Sequence, residues 1–324
     1  MSTVERDRRP RLEHDARASV FVADWWLDAA TNGAWGAVSV ERDGRLAGWL
    51  PYGTARTMGF SRCGVPPVTR LSFPVLHVAA AKGETLQRTR FQVESELIRR
   101  LPAVAAYEFI LPPDQANALA WQAAGFEARV QHTFLIDAGG GEADRWSQLR
   151  NKTRNMIRRA TEGLDVRTLT VDEFSHEYDA NLGGAVDAAH MAAVRRIVAA
   201  AIGREQGRAI GAVGRDGRVH AAVMFVWDHT DYYYYLSTRN TGHAALGAVG
   251  LLVWTGMLEA MTRGLRFDFD GVSSRTRLRF LQAFGGRLAS RIVVSRGSAA
   301  YDVRMLLRRI RRRLVAPGRG ERFY

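Results

Sequence analysis

Asp231-Tyr232-Tyr233-Tyr234-Tyr235-Leu236-Ser237-Thr238-Arg239-Asn240-Thr241-Gly242-His243-Ala244 is the stretch that decides the fold. Its aromatic first half predicts a strand over Asp231–Ser237. A polar turn containing Gly242 follows. The apolar run Gly247–Arg263 then predicts a helix, closed by Gly264. A strand, a glycine turn and a helix N-terminus in that order make an anion site. The first-turn N–H groups have no helical partner, and the helix dipole is positive there. Tyr235, Ser237, Arg239 and Gly242 are its candidate binding residues, and Gly247 and Gly250 could serve the same role one turn later.

Three further segments flank this unit. Upstream, the spacing predicts one strongly basic helix over Ala143–Thr161, stopped by Gly163. Asn151, Arg154, Asn155 and Arg158 share a face of it, with Lys152 alongside. Guanidinium forks there suit a phosphate or pyrophosphate, since each donates two parallel hydrogen bonds; the same face could equally be an ordinary solvated one. Downstream, Phe267-Asp268-Phe269-Asp270-Gly271 predicts a short strand with Asp268 and Asp270 on one side. These carboxylates are the catalytic candidates, able to orient or deprotonate an amine. The bland alternative is a strand-end turn with Asp270 as a cap. Last come Arg275, Arg277 and Arg279, then Phe280 and Phe284-Gly285-Gly286, read as a polyanion path or as a surface turn around a core phenylalanine.

Working outward, Ala209–Gly214 and Val219–Trp227 flank Arg215-Asp216-Gly217, a hairpin signal. Ala185–Ile202 reads as a helix. The first half uses the same grammar: a helix over Val20–Thr31, a hairpin Trp35–Val40 and Arg45–Tyr52 around Asp43-Gly44, a helix Thr85–Arg100, a strand Tyr107–Leu111, a helix Asp114–Ala124 ended by Gly125, and a strand Val130–Ile136. Residues 53–82 read as a long loop bordering a substrate cleft. Arg291–Ser295 and Ala299–Tyr301 read as strands, and Arg304–Leu314 as a basic terminal helix. The recurring order suggests a duplication, with Gly139-Gly140-Gly141 as linker. The expected domains are 18–140, 141–303 and a terminal helix and tail at 304–324.

Composition sets the outer bounds. The 324 residues suffice for two domains of ordinary size. Residues 1–137 hold 16 basic and 15 acidic side chains, whereas 138–324 hold 30 and 18. Only Lys82 and Lys152 are lysines. A positive second half concentrates polyanions such as tRNA, CoA, nucleotide-sugars or anionic lipid. The first 17 residues are too charged for a signal h-region. Apolar runs such as Ala244–Trp254 fall short of the roughly 18–20 residues of a span. With Cys63 the sole cysteine, read as a structural thiol, the expectation is a cytoplasmic protein. Histidine spacing shows no metal motif, and GxSxG and P-loop patterns do not occur. The Arg304–Arg313 helix could lie on an anionic membrane or on RNA.

In their order, the basic helix Leu149–Ala160, the unit Tyr232–Arg263, the strand Phe267–Gly271 and the ending Phe280-x-x-x-Phe284-Gly285-Gly286 resemble the Fem-type peptidyltransferases and related GNAT-like acetyltransferases. Arg239, Gly242 and Ala244 fit the Gln/Arg-x-x-Gly-x-Gly/Ala turn with which GNAT enzymes hold the CoA pyrophosphate. The resemblance covers roughly Val20 to Tyr301. It implies an α/β fold of two tandem GNAT-like (acyl-CoA N-acyltransferase) domains, with mixed central sheets flanked by helices and a cleft between the halves. It implies an aminoacyltransferase that uses aminoacyl-tRNA as donor, a small-molecule amine or hydroxyl as acceptor, and no permanently bound cofactor. Arg154 or Arg158 would face an acceptor phosphate. Fem-type enzymes carry a lysine directly after the phenylalanine matching Phe280; this chain has Leu281, and Arg277 or Arg279 would replace that charge. The long helical arm of such enzymes has no counterpart in the pattern. An acyl-CoA donor, or a non-catalytic RNA- or membrane-binding scaffold, are the alternatives.

Overall fold

The computed structural model describes residues 19–78, 83–115, 117–182, 186–240, 242 and 245–315, with backbone alone at 309 and 312–315. The charged stretch at 1–17 and positions 241, 243 and 244 of the expected turn lie outside them. In chain order the first elements are α1 (Asp24–Thr31, after a short 3₁₀ turn at Val20–Val22), β1 (Trp35–Arg42), β2 (Arg45–Thr57), β3 (Phe60–Gly64), β4 (Val75–Leu76), α2 (Gly83–Arg100), β5 (Ala106–Leu111), α3 (Leu119–Ala123) and β6 (Glu127–Ile136). Next come α4 (Glu142–Gln148), α5 (Asn151–Gly163), β7 (Leu164–Thr168), α6 (Val171–Leu182), α7 (Ala188–Gly203), β8 (Gly207–Gly214), β9 (Val219–Trp227) and β10 (Asp231–Arg239). The last are α8 (Ala248–Thr262), β11 (Arg266–Asp268), α9 (Arg275–Gln282), β12 (Arg287–Gly297) and α10 (Ala299–Val315).

These pack as two compact units. One holds described residues up to 130 and again from 290; the other holds 131–289. The contiguous ranges expected from the sequence differ from this division at two points. Residues 131–140 pack with the second unit, and 290–303, with α10, pack with the first. The glycine run at 139–141 therefore marks a turn rather than the change of packing: Gly141 is the N-cap of α4.

In the first unit the strands run β1-β2-β3-β5-β12, with β4 on β2. All pairs are antiparallel except β3 with β5. Within residues 53–78, positions 53–57, 60–64 and 75–76 are strand, so the expected long loop is confined to 65–74, which buries Leu71 and Phe73 and bridges to β5 at Ser72. The expected strand at Ala299–Tyr301 is instead the first turn of α10. Trp26, Trp49, Trp121, Phe21 and Phe109 fill the core, and Trp26 Nε1 donates to Thr69 Oγ1 at 3.1 Å.

In the second unit the order is β6-β11-β10-β9-β8-β7, antiparallel except β10 with β11. Helices α5 and α8 cover one face and α6 and α7 the other. This two-sided cover explains the unbroken apolar runs of β9 and β10, where every residue of Ala221–Leu236 outside the Asp228–Asp231 turn is buried. Helix α8 is apolar on nearly every side for the same reason; a Cβ on Gly256 would stand 2.3 Å from the Phe225 ring.

Both hairpins form, with different turns. Asp43 and Gly44 have φ of 52° and 70°, the two-residue turn expected of Asp-Gly. At Asp216-Gly217 only Gly217 is left-handed, and Gly214 N–H donates to Arg218 O at 2.9 Å, giving a longer loop. The single helix expected over Ala143–Thr161 is two. The chain is extended at Leu149 and Arg150 between α4 and α5. Leu149 turns into the core, and Arg150 N–H donates to Ala283 O at 2.9 Å.

Candidate active site

Strand β10 pairs with β9 along its length, but with β11 only over Asp231–Tyr233. The register against β9 slips between Tyr234 and Leu236, so Tyr235 forms a bulge. Beyond Asp268 the chain leaves β10: Phe269 N–H donates to Phe134 O at 3.1 Å and Val272 N–H to His132 O at 2.8 Å. From Tyr234 to Arg239 that edge of β10 has no strand partner among the described residues. Arg266 fastens the base of the opening, gripping Asp231 with Nε at 2.6 Å and Nη2 at 3.0 Å. Burial raises the Asp231 carboxyl to about 6, against the opposing pull of Arg266.

At the other end of β10 lies a pocket of about 360 Å³ at the N-terminus of α8. Gly247 is the N-cap, with φ 94°. A Cβ there would stand 2.4 Å from Met156 O, so only glycine lets α8 start this close to α5. His220 Nδ1 accepts the Ala245 N–H at 2.9 Å and holds the approach to the helix. Arg150, Lys152, Arg239 and Arg279 rim the pocket, and all four are exposed. Met156, Ile157 and Phe280 supply apolar wall. A positive helix end and four cations together suit a phosphate-bearing ligand, although the Ala248 N–H already donates to Ala245 O at 3.2 Å.

The structure brings together Lys152, Arg239, Arg279 and Phe280 of the expected binding residues, with Gly247 and Gly250. Others have different engagements. Arg154 Nη1 donates to Ser147 O at 3.1 Å and Nη2 to Asn151 Oδ1, capping the end of α4. Arg158 lies 5.5 Å over the Trp146 ring. Arg277 donates from Nε to Gly271 O at 2.8 Å and sits 5.7 Å over Tyr234, clamping the turn after β11. A Cβ on Gly242 would meet Asn240 Oδ1 at 3.5 Å, an ordinary contact, and the Gly242 N–H donates to that oxygen at 2.9 Å. Tyr235 is buried and Ser237 half-buried on β10. Asp268 is buried; its Oδ1 accepts from Thr133 Oγ1 at 2.6 Å and from Asp270 N–H at 2.8 Å. Asp270 follows in the left-handed region at φ 57°. Neither carboxylate lines the α8 pocket. Arg150 and His220 were not singled out from the sequence. Arg150 was read inside a continuous helix, and His220 carries no motif. Cys63 is buried and its thiol is pushed up to about 12 by that burial, consistent with the structural reading.

Residues 147–275 match the acetyltransferase (GNAT) domain family. No curated protein matches the chain. Among solved structures, FemX aligns with 12% identity over 87% of this chain and 93% of its own, at a TM-score of 0.63. A tandem GNAT protein from the clavulanic acid biosynthesis pathway aligns with 13% identity over 85% and 88%, at 0.51. L-PGS from Bacillus licheniformis aligns with 9% identity over 87% and 89%, at 0.52. The fold is therefore that of tandem GNAT-like proteins. The stretch that matches a GNAT-type acetyltransferase domain lies within the second unit and is the family evidence for an acyltransferase.

Proposed function

We propose that the protein moves an aminoacyl group from aminoacyl-tRNA to an amine or hydroxyl of a small acceptor. The observation that carries this reading is the ring of Arg150, Lys152, Arg239 and Arg279 around the N-terminus of α8. It sits in the half of the chain where basic residues outnumber acidic ones by 30 to 18. A phosphate of the donor would rest at the positive N-terminus of α8, between the four cations. The ester would lie along β10 beyond its pairing with β11, where backbone N–H groups stabilise the developing oxyanion. The acceptor attacks the ester carbonyl directly and its proton passes to Asp270; the carbon–oxygen bond to the tRNA breaks, and the leaving hydroxyl takes up that proton. Asp268 holds the Asp270 N–H and so acts as a positioning residue.

An acyl-CoA donor is the second reading. It is favoured by the apolar wall of Met156, Ile157 and Phe280 beside the anion site, and by the acetyltransferase family matched over residues 147–275. Melting temperature with total aminoacylated tRNA, CoA and acetyl-CoA separates the two, because a ligand of the folded state raises it. A rise with tRNA alone, shrinking at high salt, supports the first reading; a rise with CoA compounds alone replaces it by the second. With the donor so identified, Asp270→Asn should lower turnover by roughly 100-fold, a typical general-base contribution, with donor affinity kept. Asparagine tolerates the left-handed backbone, so folding is retained. A fully active variant removes Asp270 from the reaction.

A further inference from the structure

Helix α10 carries a row of exposed aliphatic side chains. Val303, Leu306, Leu307 and Ile310 are 58, 57, 56 and 47% exposed. Their spacing of three, four and seven residues places them on one face. The helix is anchored by its opposite side. Tyr301 meets the Phe60 ring edge-on at 5.7 Å, and Arg308 Nη1 approaches Met58 Sδ at 3.9 Å. Single exposed aliphatic residues are common on any surface, but a contiguous row is a binding surface.

The charge of the same helix says what covers it. Ala299–Val315 contains six arginines, at 304, 308, 309, 311, 312 and 313, against one carboxylate, Asp302. Arg304 and Arg311 are exposed and flank the aliphatic row on the helical wheel. Among the described residues no helix is long and apolar enough to cross a membrane. Low overall apolarity, a sharply segregated aliphatic face and a basic remainder are the marks of a helix that lies in the plane of a bilayer surface. We propose that α10 seats the protein on anionic lipid, with the aliphatic row at the headgroup–acyl boundary and the arginines on lipid phosphates. Nucleic acid would satisfy the arginines and leave the aliphatic row in water. A second copy apposed through this face would bring two arginine-rich helices together. The inference is independent of which donor the α8 pocket binds.

The test is flotation of the full chain, freed of nucleic acid, with vesicles of phosphatidylcholine alone or mixed with phosphatidylglycerol. Binding should occur on the mixed vesicles only and decline as salt rises. Leu307→Ser with Ile310→Ser should abolish flotation at unchanged melting temperature, because both positions are exposed. Arg304→Glu with Arg311→Glu should weaken it by roughly 30-fold or more, since each arginine near the surface contributes about fivefold. Flotation on neither vesicle, or equal flotation of the serine variant, overturns the proposal. So does RNA binding that depends on Arg304 and Arg311 and not on the aliphatic row, which would make α10 a nucleic-acid surface. A dimer in sedimentation that dissociates in the serine variant, without flotation of the parent, would overturn it in favour of a second copy.

Discussion

The hollow beside α2 in the first unit measures about 380 Å³, and the one at α8 in the second about 360 Å³. Their chemistry is opposite. The first is lined by Glu94, Asp114, Arg90 and the amides of Gln87, Gln115 and Asn117. Burial raises the Glu94 carboxyl to about 7, although Trp121 Nε1 donates to it at 2.9 Å and Arg90 stands near. The second gathers four exposed cations at a helix N-terminus. Two units with similar element grammar thus differ in where backbone N–H groups and guanidinium groups converge. That convergence, not the shared fold, points to the second unit as the seat of an anionic donor.

The sharpest way to break the contrast is at Gly247. Gly247→Ala combines a left-handed backbone with a Cβ 2.4 Å from Met156 O. It should cost about 2–3 kcal/mol in chemical denaturation and abolish donor binding. Gly242→Ala, whose Cβ would make only an ordinary contact with Asn240 Oδ1 at 3.5 Å, should change stability by no more than about 0.5 kcal/mol. Equal behaviour of the two variants would remove Gly247 from the site. Next in size, Arg239→Ala with Arg279→Ala should weaken donor binding by roughly 100-fold and flatten its salt dependence at unchanged melting temperature. Arg90→Ala in the first unit should leave donor binding alone. A matching loss there would place the donor in the wrong unit.

The smallest effect concerns Glu94. Its carboxyl holds a proton more tightly in the folded chain, at about 7, than at the ordinary 4.5. The folded state therefore binds more protons between those values, and stability falls as pH rises through that window. Glu94→Gln keeps an acceptor for Trp121 and removes the titration. It should stabilise the chain by about 1–2 kcal/mol above pH ~7, less than the full linkage value because the group is half-buried, and have little effect below pH ~4.5. Melting curves across pH check this; an unchanged pH slope would show that Glu94 titrates normally.

Much of the second unit was legible in advance. The β10 run, the apolar α8 and the glycines around them were visible because aromatic strands and apolar helices differ in composition and length. Arg239, Arg279, Lys152 and Phe280, read in three separate segments of the sequence, line one pocket in the structure. Arg154, Arg158 and Arg277, candidates on the same sequence grounds, are engaged within the unit, on carbonyl groups or an aromatic ring. A guanidinium on a helix face looks the same in sequence whether it meets a ligand or a neighbouring carbonyl. Strand β7 and helix α6 went unread, since β7 is short and exposed on four of its five residues.

Sequence by itself determined the tandem α/β grammar, the two glycine-turn hairpins and the positive character of the second half. These rest on local periodicity, turn chemistry and composition, which need no distant partner. Tertiary structure alone decided that the chain breaks at Leu149–Arg150, because that break depends on Leu149 reaching the core and on a hydrogen bond to Ala283, far along the chain. It also decided that β12 and α10 rejoin the first unit, and that Gly247 rather than Gly242 is the glycine held against a neighbouring backbone. Each of those outcomes is set by which atoms approach across long sequence separations, and such distances leave no periodic trace in the sequence.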